Sequence, residues 1–171
     1  MKKIVWTSLL VVVTLIFGSL FLLRELTAAQ MPDLKTAARI AVNNSALQRI
    51  DSAQPYTGGP FCYVLTGQDK LGRAMMVFAT KDKVLGSEYL DKGLSAADAE
   101  QKARQASGYS EINTVTPGII DPNDKNSFAG KASGRFVWEI YGINAQGQKL
   151  YTYLDFYNGN VLSSYTLQQT K

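Results

Sequence analysis

Residues 61–78 read FCYVLTGQDKLGRAMMVF, and residues 136–153 repeat that pattern as FVWEIYGINAQGQKLYTY. In both stretches large apolar residues alternate along the chain, and two glycines follow at the same spacing: Gly67 and Gly72, then Gly142 and Gly147. Strict alternation is typical of a strand with one buried face, and glycines are frequent where strands turn. The duplicated pattern therefore predicts two similar small domains rather than one large core.

An alanine-rich helical pattern precedes each of the two stretches. Asp33 is the expected cap of the first helix, and Ser95-x-x-Asp98 is a capping pattern in front of the second, which should stop at Gly108. The predicted buried stripes are Leu34, Ala37, Ala38, Ala41, Val42, Ser45 and Ala46 in the first helix, and Ala96, Ala99, Ala103 and Ala106 in the second.

Strands are predicted at 49–57, 61–68, 73–80 and 84–89, and again at 109–116, 135–143, 148–157 and 160–166. Each repeat is then one helix on an antiparallel sheet of about four strands, which is an α+β fold. Pro117-Gly118 predicts a kink or bulge, and Asn158-Gly159 predicts a type I′ hairpin turn. Residues 121–134 are rich in turn residues and are expected to form a mobile loop. The helix-to-strand distance grows from 28 residues (33 to 61) to 41 (95 to 136), so the second repeat carries 13 extra residues.

Residues 4–23 form an uncharged apolar run, flanked by Lys2-Lys3 and by Arg24-Glu25. About 20 helical residues suffice to cross a bilayer, so this run predicts a transmembrane anchor. A cleaved signal peptide is the alternative, with Thr27-Ala28-Ala29 as a cleavage site, but its apolar region is usually only ~7–15 residues. The two leading lysines predict a cytoplasmic end at 1–3 and an extracellular remainder. We therefore expect a connector at 24–32, a first domain at 33–91 and a second at 92–171.

Charge and cysteine content restrict the functional classes further. Three of the 18 Lys and Arg residues flank the anchor, which leaves 15 against 14 Asp and Glu in the outer part. That balance lacks the clustered positive charge of a nucleic-acid-binding protein. The single cysteine, Cys62, excludes an internal disulfide and is expected to be a small buried hydrophobe. An extracytoplasmic domain without disulfides is typical of Gram-positive bacteria.

The chain offers little for catalysis. It contains no histidine, which excludes a Ser-His-Asp triad and a conventional zinc site, and it has no phosphate-binding glycine motif. Asp121 and Asp124 lie in the predicted loop, where aspartates usually serve turns. Asp155 lies on an aromatic strand, where a carboxylate most often accepts hydrogen bonds from a turn or a tyrosine. We predict no catalytic, cofactor-binding or metal-binding residue and no small-molecule substrate.

The remaining feature is aromatic surface. Tyr151, Tyr153 and Tyr157 are expected on one face of their strand, with Thr152, Leu154 and Phe156 on the opposite face. One face must cover the helix, and the other is more apolar than a solvent-facing sheet. That second face either packs on the first repeat, which is the favoured interpretation, or docks a protein. Candidate partner-binding residues are Tyr151, Tyr153, Tyr157 and Asp155.

The anchor, the doubled helix-plus-hairpin unit and the ending 153–162 (YLDFYNGNVL) together resemble the TseB-like cell wall elongation regulators of Gram-positive bacteria. The ending is similar to the PepSY signature, and Gly67-x-Asp69-x-x-Gly72 is similar to the hairpin of that family's first domain. The resemblance implies two tandem PepSY-like domains of cystatin-like fold and a non-enzymatic membrane protein. It also implies a penicillin-binding transpeptidase of the elongation machinery as the partner.

Two other functions stay open at this point. Isolated PepSY domains suggest an inhibitor or chaperone of an extracytoplasmic protease. An enzyme acting on cell wall polymers is the third candidate, and only the expected location favours it.

Overall fold

The computed structural model describes residues 34–121 and 128–167. The predicted anchor at 4–23, the connector at 24–32 and the Asp33 cap lie outside these residues. Within the described part of the chain, no helix is both long and apolar enough to cross a membrane.

Two helices and two four-stranded antiparallel sheets make up the fold, with strand orders β1-β2-β3-β4 and β5-β6-β7-β8. The first repeat contains α1 (Leu34–Asn43), β1 (Leu47–Tyr56), β2 (Cys62–Asp69), β3 (Ala74–Ala79) and β4 (Val84–Tyr89). The second repeat contains α2 (Ala96–Ser107), β5 (Tyr109–Ile119), β6 (Phe136–Asn144), β7 (Lys149–Asp155) and β8 (Val161–Thr166). The predicted α+β architecture of two helix-plus-four-strand repeats is confirmed.

Short 3₁₀ turns lie between these elements. One, Leu90–Lys92, joins the two repeats, and the other, Phe128–Lys131, lies in the long loop before β6. The predicted domain boundary between residues 91 and 92 stays a prediction. By contact density the chain from Leu34 onward is one compact unit, so the repeats do not separate into two independent bodies.

The repeat extends to the irregularities of the sheets. Strands β1 and β5 each carry two bulges at corresponding places, between Leu47/Arg49 and Ile50/Ser52, and between Tyr109/Glu111 and Ile112/Thr114. The bulge predicted at Pro117-Gly118 is wrong, because both residues pair in register with Trp138 and Val137. An edge strand accepts a proline without distortion when the missing N–H points away from the ladder.

The glycines serve two different purposes. Gly72 and Gly147 adopt φ of 78° and 77° and end three-residue hairpin loops, as the pattern predicts. Gly67 and Gly142 instead lie inside strands β2 and β6. A Cβ on Gly67 would collide with the carbonyl oxygen of Arg49, so close approach of the neighbouring strand requires that glycine.

A carboxylate fixes the hairpin loop between β2 and β3. Asp69 Oδ1 accepts the backbone N–H groups of Leu71 (2.8 Å) and Arg73 (2.9 Å), and Oδ2 accepts from Arg73 Nε at 2.9 Å and from the Tyr89 hydroxyl at 3.2 Å. Burial opposes ionisation of Asp69, but the hydrogen bonds from Arg73, Leu71 and Tyr89 outweigh it and lower its pKa to about 2. The loop is therefore stabilised by the charged form of Asp69.

The predicted caps of α2 are confirmed, whereas the predicted buried stripes of both helices are correct only in part. Ser95 Oγ accepts the backbone N–H of Asp98 at 3.1 Å, and Gly108 ends α2 in the left-handed conformation. Only Ala99 and Ala103 of α2 are buried, so the prediction for Ala96 and Ala106 is wrong. In α1 the buried residues are Ala37 and Ala41; Leu34 is exposed and 45–46 lie beyond the helix end. Both helices thus contact their sheets through a narrow strip of alanines.

The buried apolar residues do not form two separate cores, one in each repeat. A smaller cluster lies between α1 and its sheet and includes Leu47, Leu65 and Val77. The larger cluster contains the opposite face of the first sheet together with the helix side of the second repeat. Phe78 of the first repeat stacks on Phe136 of the second, with ring centroids 5.7 Å apart. The two repeats therefore share one core.

Cys62 lies in that shared core and is fully buried, which confirms the prediction of a small buried hydrophobe. Burial raises the pKa of its thiol to about 12, so the thiol is neutral and unreactive in the folded protein.

Candidate interaction surface

A row of tyrosines crosses the second sheet on the face opposite α2, which we call the outer face. Tyr141, Tyr151 and Tyr165 lie directly opposite one another on strands β6, β7 and β8. Their ring centroids are 4.8 Å apart between Tyr141 and Tyr151 and 5.6 Å apart between Tyr151 and Tyr165. Tyr153 stacks on Tyr165 at 6.2 Å. These four residues form the tyrosine ladder, whose rings are held by cross-strand packing.

The ladder is accessible at one end and covered at the other. Tyr165 is 45% exposed, and Tyr141 and Tyr151 are half-buried, whereas Tyr153 is only 4% exposed. Burial raises the pKa of Tyr151, which keeps its hydroxyl protonated. The accessible end therefore presents aromatic rings together with the protonated hydroxyl of Tyr151.

Tyr153 and Glu139 form the covered end. The Tyr153 hydroxyl donates to Glu139 Oε2 at 2.6 Å. Burial raises the pKa of Glu139 above its usual value, and the hydrogen bond from Tyr153 opposes that shift only in part. Gly58, from the loop between β1 and β2, lies so close that a Cβ there would collide with the Glu139 carboxylate. The first repeat thus covers part of the outer face, as the favoured interpretation holds, but only at this end.

The long loop before β6 covers the next part of the outer face. Ile120 and Ala132 pack with Val137, Tyr153 and Leu162 in a small apolar cluster. The described residues of the loop are anchored rather than free, because the Ser133 backbone N–H donates to the Asp155 carboxylate. The predicted mobility of 121–134 is not tested at 122–127, which lie outside the described residues.

Asp155 is a turn residue. Its Oδ1 accepts the backbone N–H groups of Tyr157 at 2.8 Å and Asn158 at 3.1 Å, and Oδ2 accepts that of Ser133. The predicted type I′ turn at Asn158-Gly159 is wrong, since φ is positive only at Gly159 and a type I′ turn requires it at both residues. The Asp155 side chain stabilises a longer loop instead. Because it is fully buried, Asp155 supports the outer face without contributing surface.

The structure separates Tyr157 from the ladder. Strand β7 ends at Asp155, so the alternation that would place Tyr157 beside Tyr153 stops two residues too early. The Tyr157 hydroxyl donates to Glu88 Oε2 of the first repeat at 2.7 Å. Burial and that hydrogen bond raise its pKa to about 12. Tyr157 therefore belongs to the contact between the repeats.

The outer face contains further residues that the sequence did not predict, namely Tyr141, Tyr165 and Glu139. Tyr141 carried a usable signal, because the three-residue loop closed by Asn144 and Gln148 places it opposite Tyr151. The described residues hold no group of three or more Cys, Asp or Glu side chains that could bind a metal ion. The exposed end of the ladder is suited to contact another molecule.

Comparison with known proteins supports the resemblance found in the sequence. No family model matches the chain. The chain is 25% identical over 162 residues to the probable cell wall elongation regulator TseB of Bacillus subtilis (strain 168), covering 90% of this chain and 94% of that protein. The solved structure of the YpmB protein from Bacillus subtilis is similar with a TM-score of 0.64 at 25% identity, covering 78% of this chain and 97% of that one. The resemblance is thereby confirmed: over nearly its whole length the chain is similar to the TseB-like cell wall elongation regulators.

Proposed function

We propose that this chain is a non-enzymatic, membrane-anchored regulator of cell wall elongation, and that the exposed end of its tyrosine ladder binds a penicillin-binding transpeptidase outside the cell. The observation that carries the proposal is the row of packed, partly exposed rings at Tyr141, Tyr151 and Tyr165. The general role comes from a curated relative, which is described as a probable cell wall elongation regulator.

The ladder has the physical properties of a protein-binding surface. Tyrosine is enriched at protein interfaces, where it supplies a large contact area and a hydroxyl at a small cost in side-chain entropy. Stacking already holds the ring of Tyr151 between those of Tyr141 and Tyr165. Little further freedom is lost on binding, so more of the contact energy contributes to affinity.

The proposed anchor at 4–23 makes a modest interface sufficient. A partner held in the same membrane meets the outer face at a raised effective concentration, which increases the occupancy of a weak contact without any new interaction. In this proposal two tandem PepSY-like domains of cystatin-like fold hold the ladder on the extracellular side.

A non-enzymatic role agrees with the available chemistry. The chain contains no histidine. Both oxygens of Asp155, the carboxylate beside the ladder, are occupied by backbone N–H groups. Glu139, the other nearby carboxylate, accepts the Tyr153 hydroxyl beneath the Gly58 loop. Neither group is free to act as a general acid or base on a substrate.

The test is site-specific photocrosslinking in cells of the source organism. A photoreactive phenylalanine analogue replaces Tyr151 in the full-length protein, and the crosslinked product is probed with a fluorescent β-lactam, which labels penicillin-binding transpeptidases covalently. The matched control carries the analogue at Leu71, which is 71% exposed on the hairpin of the first repeat, far along the chain from the ladder. A β-lactam-labelled product with the analogue at position 151, and little with it at position 71, supports the proposal.

Two results would argue against it. A crosslinked product that never carries the β-lactam label removes the transpeptidase as partner, and a protease in that product would favour the inhibitor function instead. Equal labelling from positions 151 and 71 would show that the contact does not involve the ladder.

A further inference from the structure

The four edge strands of the two sheets are protected to different degrees. An edge strand exposes unpaired N–H and C=O groups, and proteins protect such edges with charges, prolines, bulges or a covering element. Strand β1 carries two bulges, the Arg49–Asp51 ion pair and Pro55. Strand β5 carries two bulges, Glu111 and Pro117. Both of these edges are protected by their own sequence.

Strand β4 is protected by the second repeat. The guanidinium of Arg135 donates to the Leu85 carbonyl oxygen at 3.0 Å, and Tyr157 donates to Glu88. Gly86 lies against Phe136. The edge of the first sheet is thus covered by the repeat that follows it.

Strand β8 occupies the same position in the second repeat; the 3₁₀ turn Phe128–Lys131 lies near it, but no described residue makes a backbone hydrogen bond to its outer edge. Its sequence, VLSSYT at 161–166, contains no charge and no proline, and its one bulge lies at its beginning, at Leu162. Ser164, Tyr165 and Thr166 are exposed. The part of β8 from Ser163 onward is therefore the least protected sheet edge in the described chain.

The register identifies which backbone groups are free. The Leu167 N–H donates to the Lys149 carbonyl oxygen at 2.9 Å, so these two residues form a hydrogen-bonded pair between β8 and β7. Hydrogen-bonded and non-hydrogen-bonded pairs alternate in antiparallel sheets, so Ser164 and Thr166 direct their N–H and C=O groups away from β7. No described residue makes a backbone hydrogen bond to that side of Ser164 or Thr166.

We propose that the free edge of β8 pairs antiparallel with β8 of a second copy of this chain, which joins the two second-repeat sheets into one continuous sheet. A two-fold axis beside Tyr165 would place Ser164 of each copy opposite Thr166 of the other, and their free backbone groups would form hydrogen bonds. Two-fold pairing is the commonest symmetry of protein oligomers.

Charge and packing favour a second copy over an unrelated strand. A two-fold axis places the residue beside the axis opposite its own equivalent, so a charged residue there would bring like charges together. Glu88 on β4 would face its own equivalent in this way, whereas the uncharged β8 can pair around Tyr165 without bringing any like charges together. Tyr165 is also the outermost ring of the tyrosine ladder, so pairing would continue the row of stacked rings into the second copy.

The test compares two substitutions at one position of the full-length protein in mild detergent. Ser164→Pro removes the outward N–H but keeps the backbone hydrogen bonds between β8 and β7. Ser164→Ala keeps the N–H and removes only the hydroxyl that contacts Thr152. By sedimentation we expect the unmodified chain and the alanine variant at twice the 18.8 kDa chain mass, and the proline variant at the single mass. A dimer that persists in Ser164→Pro would overturn edge pairing.

A crosslinking measurement keeps the test decisive if Ser164→Pro does not fold. Directly opposite residues in a non-hydrogen-bonded pair have Cα atoms about 4.5 Å apart, within the range of a disulfide. Tyr165→Cys should therefore form a covalent dimer on mild oxidation, while the buried Cys62 of the unmodified chain should not. Ser87→Cys, exposed on the covered edge β4, is the matched control. Crosslinking of Tyr165→Cys no greater than that of Ser87→Cys, or a monomeric unmodified chain, would refute the proposal.

Discussion

Phe78→Ala should destabilise the second repeat, although Phe78 lies in the first. The Phe78 ring is fully buried and stacks on Phe136, which in turn contacts Phe156 edge-on at 6.5 Å. Truncation would leave a cavity on both sides of the contact between the repeats. The loss should therefore be felt by all elements that surround the shared core.

The expected size follows from that burial. Replacing a fully buried phenylalanine with alanine costs about 3–5 kcal/mol, because the transfer free energy is lost and a cavity remains. With a urea m-value of about 2 kcal/mol per molar, the unfolding midpoint should fall by roughly 2 M. An exposed substitution such as Leu71→Ala should change the free energy of unfolding by no more than about 0.5 kcal/mol.

The chain provides one natural probe in each repeat. Trp6→Phe leaves Trp138 as the only tryptophan, and its fluorescence reports on the second repeat. Cys62 is the only cysteine, and its reaction with a thiol reagent reports exposure of the first repeat. In urea titrations of the full-length protein, Phe78→Ala should shift both transitions together by the same amount. A shift of the Cys62 transition with an unmoved Trp138 transition would refute the shared core and indicate two independently folding domains.

Three further perturbations have expected outcomes of their own. Asp69→Asn should lower the free energy of unfolding near neutral pH. The difference in free energy of unfolding between this variant and the unmodified chain should shrink as pH falls from about 4 towards 2, because a carboxylate with a lowered pKa stabilises the fold only while it is ionised. Urea titrations at pH 7 and pH 2.5 measure this difference. Glu139→Gln should behave oppositely. The raised pKa of Glu139 means that folding favours its protonated form. The unmodified chain should therefore lose stability as pH rises above about 4.5, and the variant should not. Identical pH profiles of the two thermal midpoints would contradict this. Ser95→Ala should cost about 1 kcal/mol through loss of the α2 cap, and unchanged thermal unfolding would exclude that role.

Features determined by local chemistry could be predicted from the sequence. The caps of α2, the two hairpin glycines and the strand alternation each depend on residues within a few positions of one another. Ser95 and Gly108 therefore act as predicted. The burial of Cys62 also follows from its position in an alternating strand.

Features that depend on a one-residue change in strand register or strand length could not be predicted from the sequence. The loop after β7 pairs Asp155 with Asn160, and without a bulge that register would place Tyr165 opposite Leu150, on the α2 side. The bulge at Leu162 moves the register by one residue and places Tyr165 opposite Tyr151 on the outer face. Tyr157 was misplaced for a related reason, since the bonds to Asp155 end β7 before the alternation reaches it. The residues that form the shared core could not be predicted, because contacts such as Phe78–Phe136 depend on how the repeats pack, which periodicity does not report.

Met76 and Tyr151 occupy the same place in their repeats, as do Phe78 and Tyr153. In the first repeat this face of the sheet is buried in the shared core; in the second, Tyr151 remains partly in solvent. Equivalent positions of the two repeats thus have different physical environments. A substitution at Met76 must fit the packed interior, whereas a substitution at Tyr151 also changes the surface that the protein presents to other molecules.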